Sequence, residues 1–131
     1  MSESSKTSLA GLKVLIVEDE ALVSMLLEDM LSDLGCEIVG PIMRLGEALT
    51  MVEDQSQAID LAILDVNLAG ERSFPVAEAL ERRGCLFILA TGYDGAGIDE
   101  KWRARPMLRK PFLPHQLEQV LHEALAGQPA A

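Results

Sequence analysis

The sequence predicts an α/β fold in which a parallel five-stranded sheet is covered by helices on both faces. Five short apolar runs alternate with amphipathic stretches along the 131 residues, which suffice for one domain with a real core. This alternation is typical of parallel strands joined by right-handed helical crossovers. The number and lengths of the elements match the flavodoxin-like (βα)5 three-layer sandwich, whose strand order is 2-1-3-4-5.

The first half of the chain supplies two strand–helix units. Residues 12–17 are apolar and β-branched, which predicts the first strand. Residues 21–34 carry leucines on one helical stripe, and Gly35 is placed to end that helix. Residues 36–41 predict a short second strand closed by Gly-Pro, and residues 44–52 predict a modest second helix.

The middle of the chain contains the run around which the rest is organised. Residues 61–64 are uniformly apolar and lead directly to Asp65, as in a fully buried strand, although a buried helical turn has the same pattern. Residues 67–70 are typical of a loop, and Pro75 suits the first turn of a third helix that reaches about Arg83. An acid at a strand end is more often a solvated loop residue, so the interpretation of Asp65 depends on the other strands.

The last third completes the alternation. Residues 85–90 predict a fourth buried strand ending at Thr91, and the glycines that follow it indicate that a fourth helix begins late. Residues 105–109 predict a short fifth strand, and their proline and charges favour a sheet edge. Pro114 then opens a final helix with an apolar stripe, which ends at about Gly127.

These elements predict one domain over residues 11–126, with a flexible polar tail at 1–10 and a C-terminal tail at 127–131. No apolar run approaches the roughly 20 residues that span a bilayer, and the start of the chain lacks the apolar core of a signal peptide. We therefore expect a cytoplasmic protein that does not insert into membranes. Cys36 and Cys85 lie at the predicted strands with no metal-site spacing, which favours reduced thiols.

The charge distribution bears on the class of partner. The net charge is −10, and the excess of acids lies entirely within residues 1–65. Nucleic-acid binding is driven by neutralisation of phosphates, so an acidic chain is a poor candidate for it. A small basic cluster between Lys101 and Lys110 does not reverse this expectation and is more often a solvated face.

Polar side chains follow four of the five strands in the predicted order. They are Glu18 and Asp19, Asp65 with Asn67, Thr91, and Lys110. The carboxyl ends of parallel strands meet at one edge of the sheet, where three carboxylates repel one another unless a cation lies between them. Oxygen ligands favour a hard ion such as Mg²⁺, which is often bound by carboxylates together with phosphate oxygens. A nearby lysine and hydroxyl suit a phosphoryl group, and an aspartate can act as its acceptor.

The same residues resemble those of the receiver domain of bacterial two-component response regulators. The resemblance covers about residues 11–126 and rests on Glu18-Asp19, Asp65, Thr91 and Lys110-Pro111-Phe112 at the matching strand ends. It implies that Asp65 is the phosphoacceptor, and that Thr91 and Lys110 bind the phosphoryl oxygens. It also implies a cis Lys110–Pro111 bond.

The resemblance further implies a set of Mg²⁺ ligands. Asp19 and Asp65 would bind the ion directly, Glu18 through water, and Asn67 through its backbone carbonyl. Such a protein is not an enzyme beyond Mg²⁺-dependent self-phosphorylation and slow self-dephosphorylation. It would receive its phosphoryl group from a sensor histidine kinase or a histidine phosphotransfer protein, and would signal by contact with a downstream protein or by phosphorelay.

Three positions depart from the usual receiver pattern. Glu18 stands where aspartate is more frequent, and the segment 68–73 lacks the usual proline and later glycine, so that its turn must be built differently. Met107 occupies the place of the usual switching aromatic residue. The run from Leu89 to Tyr93 is similar to the Phe-Ala-Thr-Gly subgroup of alphaproteobacterial receivers, nicknamed "FATGUY". Tyr93 is therefore a candidate for the moving aromatic ring.

Two other classes of protein share the predicted fold or the candidate acceptor, and each differs from this sequence at one place. A hydrolase of the aspartyl-phosphate type would have a second aspartate where Asn67 stands, and a flavodoxin-like cofactor binder would not carry Glu18-Asp19-Glu20 at its phosphate loop. The alternative that the residues leave open is a receiver-like interaction module that works without phosphorylation.

Overall fold

The structure is a computed structural model that describes residues 9–92, 98 and 100–127. Its strands are β1 (Lys13–Val17), β2 (Glu37–Ile42), β3 (Leu61–Asp65), β4 (Asn67–Leu68), β5 (Glu71–Arg72), β6 (Leu86–Thr91) and β7 (Met107–Arg109). Its helices are α1 (Ala21–Asp33), α2 (Leu45–Glu53), α3 (Phe74–Arg83), α4 (Glu100–Arg103) and α5 (Pro114–Ala126).

Five of the strands form one parallel sheet in the order β2-β1-β3-β6-β7, while β4 and β5 pair with each other as an antiparallel hairpin. With the hairpin set aside, this is the order 2-1-3-4-5. The predicted flavodoxin-like class is thereby confirmed. The central strand β3 is buried along its whole length, because β1 and β6 flank it and helices cover both of its faces.

The core consists of two layers, one on each side of the sheet. Successive strand residues alternate between them, so that Leu15 packs with α2, α3 and Trp102 of α4, whereas Ile16 packs with α1 and α5. This alternation follows from the two-residue period of a strand. Leu9 joins the α1/α5 layer and is buried, so the packed part of the chain begins before residue 11.

The edge strand β2 continues past its predicted end at Gly40-Pro41. Gly40 has a φ of 95°, and a Cβ there would lie 2.9 Å from the nitrogen of Ile42 and 3.0 Å from the carbonyl oxygen of Ile16. Only glycine fits this bend, which coincides with a shift in the pairing register between β1 and β2. Pro41 is tolerated because the strand lies at the sheet edge.

The segment predicted as a loop after β3 contains the β4–β5 hairpin. Ala69 and Gly70 connect its two strands with φ values of 52° and 87°. Positive φ at both central residues is the property of a type I′ turn, which matches the twist of the flanking strands. The turn in this segment is therefore built as a two-residue hairpin connection.

Helix α4 begins at Glu100 and forms a single turn, consistent with the late start predicted from the preceding glycines. Two residues of the basic cluster, Lys101 and Arg105, pair with acids of α3. Lys101 lies 3.9 Å from carboxylates of both Glu78 and Glu81, and Arg105 also pairs with Glu81. Trp102 stacks on Phe74 at a ring-centroid distance of 5.9 Å.

Two further expectations concern bulk properties. Among the described residues, no helix combines the length and the apolar character required to cross a bilayer. Cys36 and Cys85 are free thiols that lie one residue before β2 and β6. Tails were predicted at residues 1–10 and 127–131, and of these residues 1–8 and 128–131 lie outside the described residues.

Candidate functional site

The candidate site lies where the central strands end. Strand β1 leads into Glu18 and Asp19, Asp65 is the last residue of β3, and Thr91 is the last residue of β6. Lys110 follows β7, and its backbone N–H donates a 2.8 Å hydrogen bond to the carbonyl oxygen of Thr91. The parallel arrangement thus delivers all of the predicted side chains to one edge of the sheet.

Three carboxylates meet at this edge. Glu18, Asp19 and Asp65 each offer an oxygen, and these oxygens lie within 4.8 Å of one another. Glu18 is 1% exposed and Asp65 is 5% exposed, whereas Asp19 is half-buried at the mouth of the site. The sequence predicted this convergence, and the structure shows it.

Lys110 provides the positive charge of the site. Its Nζ lies 3.1 Å from Oδ2 of Asp65 and 3.0 Å from Oε1 of Glu18. Burial alone would lower the pKa of Lys110, but hydrogen bonds and attraction from these two carboxylates outweigh it and raise that pKa. Lys110 therefore stays protonated at the candidate site.

A fourth carboxylate was missed by the sequence analysis. Oε1 of Glu20 lies 3.3 Å from Lys110 Nζ at the exposed rim of the pocket. Glu20 immediately precedes α1, where acids are common because they interact favourably with the helix dipole. Nothing in the sequence distinguishes that ordinary role from a contact with a lysine 90 residues away.

Ionisation of the two buried acids is costly in the absence of a further cation. Burial raises the pKa of Glu18 to about 7, and a hydrogen bond to the Asp65 carboxylate together with its charge adds to the effect. Burial also raises the pKa of Asp65, and the hydrogen bond with Glu18 and the charge of Lys110 oppose it only in part. Two nearby carboxylates with one lysine thus keep a net cost of ionisation that a further cation would relieve.

Backbone donors fix the orientation of each acid. The N–H of Asn67 donates to Oδ1 of Asp65 at 3.2 Å, and the N–H of Glu20 donates to Oε2 of Glu18 at 3.1 Å. The N–H of Ala69, in the hairpin turn, donates to Oδ2 of Asp19 at 3.0 Å. The hairpin therefore orients two of the three acids, a role that the sequence did not reveal.

The donor set fits a hard divalent ion. Oε1 of Glu18 is buried and accepts no hydrogen bond of normal geometry from the described residues, although the Lys110 ammonium is 3.0 Å away. A buried carboxylate oxygen left in this state is costly. A cation among three oxygen donors would satisfy it, and oxygen-only ligands are those that Mg²⁺ prefers.

The remaining predicted residues are placed as follows. Thr91 is buried at the site, and Asn67 is exposed beside Asp65. The Lys110–Pro111 bond is cis, as the resemblance implied. Met107 packs its side chain against the core layer on the α2/α3 side, and Tyr93 lies outside the described residues.

A buried serine was also missed. Ser73, directly before α3, donates a 2.5 Å hydrogen bond from Oγ to the carbonyl oxygen of Asp65. The sequence analysis predicted only that the turn in segment 68–73 is built differently from the usual receiver turn, and it gave Ser73 no role. A bond between residues eight positions apart leaves no periodic trace in the sequence.

Comparison with known proteins identifies the type of domain. Residues 14–122 match the family model of the response regulator receiver domain. The solution structure of SdrG from Sphingomonas melonis Fr1 is 45% identical and superposes with a TM-score of 0.79, covering 91% of this chain and 98% of that one. The receiver domain of the PhyR response regulator from Erythrobacter litoralis is 29% identical with a TM-score of 0.78, covering 95% of this chain and 99% of that one.

A longer relative also matches. The transcriptional regulatory protein PdtaR of Mycobacterium tuberculosis (strain ATCC 25618 / H37Rv) is 35% identical over 104 residues, which is 76% of this chain and 50% of PdtaR. The chain thus spans about half the length of the curated relatives it matches.

Proposed function

The chain belongs to the response regulator receiver domain family, and from this premise we propose that Asp65 is its phosphoacceptor. The observation that carries the proposal is the position of Asp65. Its carboxylate is buried at a strand end, lies 3.1 Å from the Lys110 ammonium and shares a cluster with Glu18 and Asp19. A buried acid with a cation on one side and a candidate metal cluster on the other is suited to accept an anionic group.

The proposed step transfers a phosphoryl group from a histidine of a sensor kinase or phosphotransfer protein. A carboxylate oxygen of Asp65 forms a bond to phosphorus while the phosphorus–nitrogen bond of the phosphohistidine breaks. The bonding electron pair remains on the imidazole nitrogen, which leaves as neutral histidine once it is protonated. Such transfer depends mainly on positioning and charge stabilisation, because the phosphoryl group itself needs little covalent assistance.

Each neighbouring residue has a role in this proposal. Lys110 holds its proton and binds a phosphoryl oxygen by a charge-assisted hydrogen bond, and Thr91 donates a hydrogen bond from its hydroxyl. Asp19 and Asp65 would hold Mg²⁺ directly, Glu18 would bind it through water, and Asn67 would contribute its backbone carbonyl. The ion supplies neutralisation of the charge on the transferred group. Three carboxylates alone would repel that group.

The output in this proposal is a protein–protein contact or onward phosphorelay within the cytoplasm. An acyl phosphate at Asp65 pulls Lys110 and Thr91 toward the phosphoryl oxygens and shifts a pre-existing equilibrium of the domain. Lys110 follows β7 and Thr91 ends β6, and these neighbouring strands are joined by the 2.8 Å backbone bond between these two residues. We therefore expect the conformational change on the face formed by β6 and β7.

The test uses a small phosphodonor such as acetyl phosphate, with intact-mass measurement in the presence and absence of Mg²⁺. We expect wild-type protein to gain one phosphoryl group only with Mg²⁺, and Asp65→Asn to gain none. Asp60→Asn is the matched control, because Asp60 is exposed and immediately precedes β3 at the end opposite to Asp65, where its side chain accepts the N–H of Lys13. Labelling of Asp65→Asn at the wild-type level would refute the assignment.

A further inference from the structure

Ser73 occupies an unusual position for a serine. It is fully buried and stands immediately before α3, where a serine normally accepts a hydrogen bond from the first free N–H groups of the helix. Ser73 makes no such capping bond. Its hydroxyl instead donates to the backbone carbonyl of Asp65 at 2.5 Å. The serine forgoes a capping bond worth about 1 kcal/mol and binds the main chain of the acceptor aspartate instead.

A second bond from the same residue closes the segment between β3 and α3. The N–H of Ser73 donates to the carbonyl oxygen of Val66 at 2.9 Å, so that two consecutive carbonyls, those of Asp65 and Val66, are bound by one residue. Residues 66–73 thereby form a closed loop, which we call the Ser73 loop. The first turn of α3 also starts from Ser73, whose carbonyl accepts the N–H of Val76.

The Ser73 loop carries the donors that orient the acids. Within it, the N–H of Asn67 binds the side chain of Asp65 at 3.2 Å, and the N–H of Ala69 binds that of Asp19 at 3.0 Å. Its closure at Ser73 fixes where these two N–H groups point. The serine thus acts on Asp65 twice, directly through the main chain and indirectly through the loop.

We propose that Ser73 is a positioning residue for phosphoryl transfer, whose hydroxyl holds the Asp65 main chain so that the carboxylate faces Lys110 and the metal cluster. This inference rests on the proposed function of Asp65. Ser73 touches no reacting atom, and its effect is exerted through the backbone of the acceptor. Small misplacements of a reacting group lower transfer rates strongly, because the productive geometry is narrow.

The decisive variant is Ser73→Ala, which removes the hydroxyl with a minimal change in volume. We expect the rate of phosphorylation at saturating acetyl phosphate and Mg²⁺ to fall about tenfold, the effect of losing one buried hydrogen bond. The donor concentration at half-maximal rate should change less than twofold, since Ser73 does not contact the donor. Ser73→Thr keeps the hydroxyl and should restore most of the rate.

The matched control is Ser24→Ala, because Ser24 is also a buried serine but bonds within α1, to Glu28 at 3.4 Å. Its phosphorylation rate should equal that of the wild type. All variants are compared under conditions where denaturant unfolding shows them fully folded. If Ser73 contributed only to stability, both Ser73→Ala and Ser24→Ala would be less stable than the wild type, and neither would accept the phosphoryl group more slowly.

Amide hydrogen exchange provides a readout that needs no phosphoryl transfer. In Ser73→Ala the amides of Asn67 and Ala69 should exchange at least tenfold faster, whereas amides in α5 should be unchanged. Unchanged exchange together with a wild-type transfer rate would overturn the inference while leaving Asp65 as acceptor. Wild-type protein that accepts no phosphoryl group would overturn the proposed function, and this inference with it.

Discussion

The substitution Glu18→Gln tests how the buried acid cluster affects stability. In the fold, burial and the neighbouring Asp65 raise the pKa of Glu18 to about 7 from an ordinary value of 4.5. Between these two pH values the folded protein binds more protons than the unfolded chain, so stability decreases as pH rises. The loss is complete above pH 7 and amounts to as much as about 3 kcal/mol.

Glutamine removes this ionisation, and its amide can still donate to the Asp65 carboxylate. We therefore expect metal-free Glu18→Gln to be more stable than the wild type at pH 8, by as much as about 3 kcal/mol. The difference should shrink steadily as pH falls from 7 toward 4.5. A smaller slope remains in the variant, because burial also raises the pKa of Asp65.

The assay is urea unfolding in the presence of a chelator at pH 5, 6, 7 and 8. Trp102, the only tryptophan, is buried against Phe74 and reports unfolding by fluorescence. Glu53→Gln is the control, since Glu53 is exposed and lies 4.0 Å from Arg82 at the surface. Such pairs contribute about 0–1 kcal/mol. Equal stability of Glu18→Gln and wild type at pH 8, with parallel pH profiles, would refute the reasoning.

Two further predictions concern the metal cluster and the hairpin. Mg²⁺ at 100 times its dissociation constant should raise the free energy of unfolding of the wild type by about 2.7 kcal/mol. The Asp19→Asn variant should lose most of this gain. An undiminished gain in Asp19→Asn would exclude Asp19 as a ligand. Ala69 has a φ of 52°, a conformation that costs an ordinary L-residue about 1–2 kcal/mol, so Ala69→Asn should raise the free energy of unfolding by roughly 0.5–1 kcal/mol. An unchanged or lower stability would show that the turn is not strained at this residue.

The sequence predicts the sheet and its order well, because long apolar strands and striped helices have strong periodicity. The β4–β5 hairpin was missed because two-residue strands are too short to show alternation. The Gly40-Pro41 pair was predicted to end the second strand, but β2 continues through it to Ile42. The bend at Gly40 brings the chain close to Ile16, and such a tertiary contact cannot be predicted from local sequence. Element boundaries therefore differ where packing, and not local pattern, decides them.

The candidate site divides in the same way. Residues at strand ends, such as Asp65 and Lys110, were identified because topology alone brings them to one edge. Glu20 and Ser73 were not, because their contacts join segments whose relative placement no pattern specifies. Both are ordinary residue types at helix starts, and only the three-dimensional arrangement distinguishes their roles.

The most direct test of the central claim is a structure of the protein determined with Mg²⁺ and beryllofluoride, which mimics an acyl phosphate. We expect the beryllofluoride to be bound to the carboxylate of Asp65, with its fluorines contacted by Lys110 and Thr91 and with Mg²⁺ held by Asp19 and Asp65. Beryllofluoride on another residue, or Mg²⁺ bound away from these acids, would contradict it.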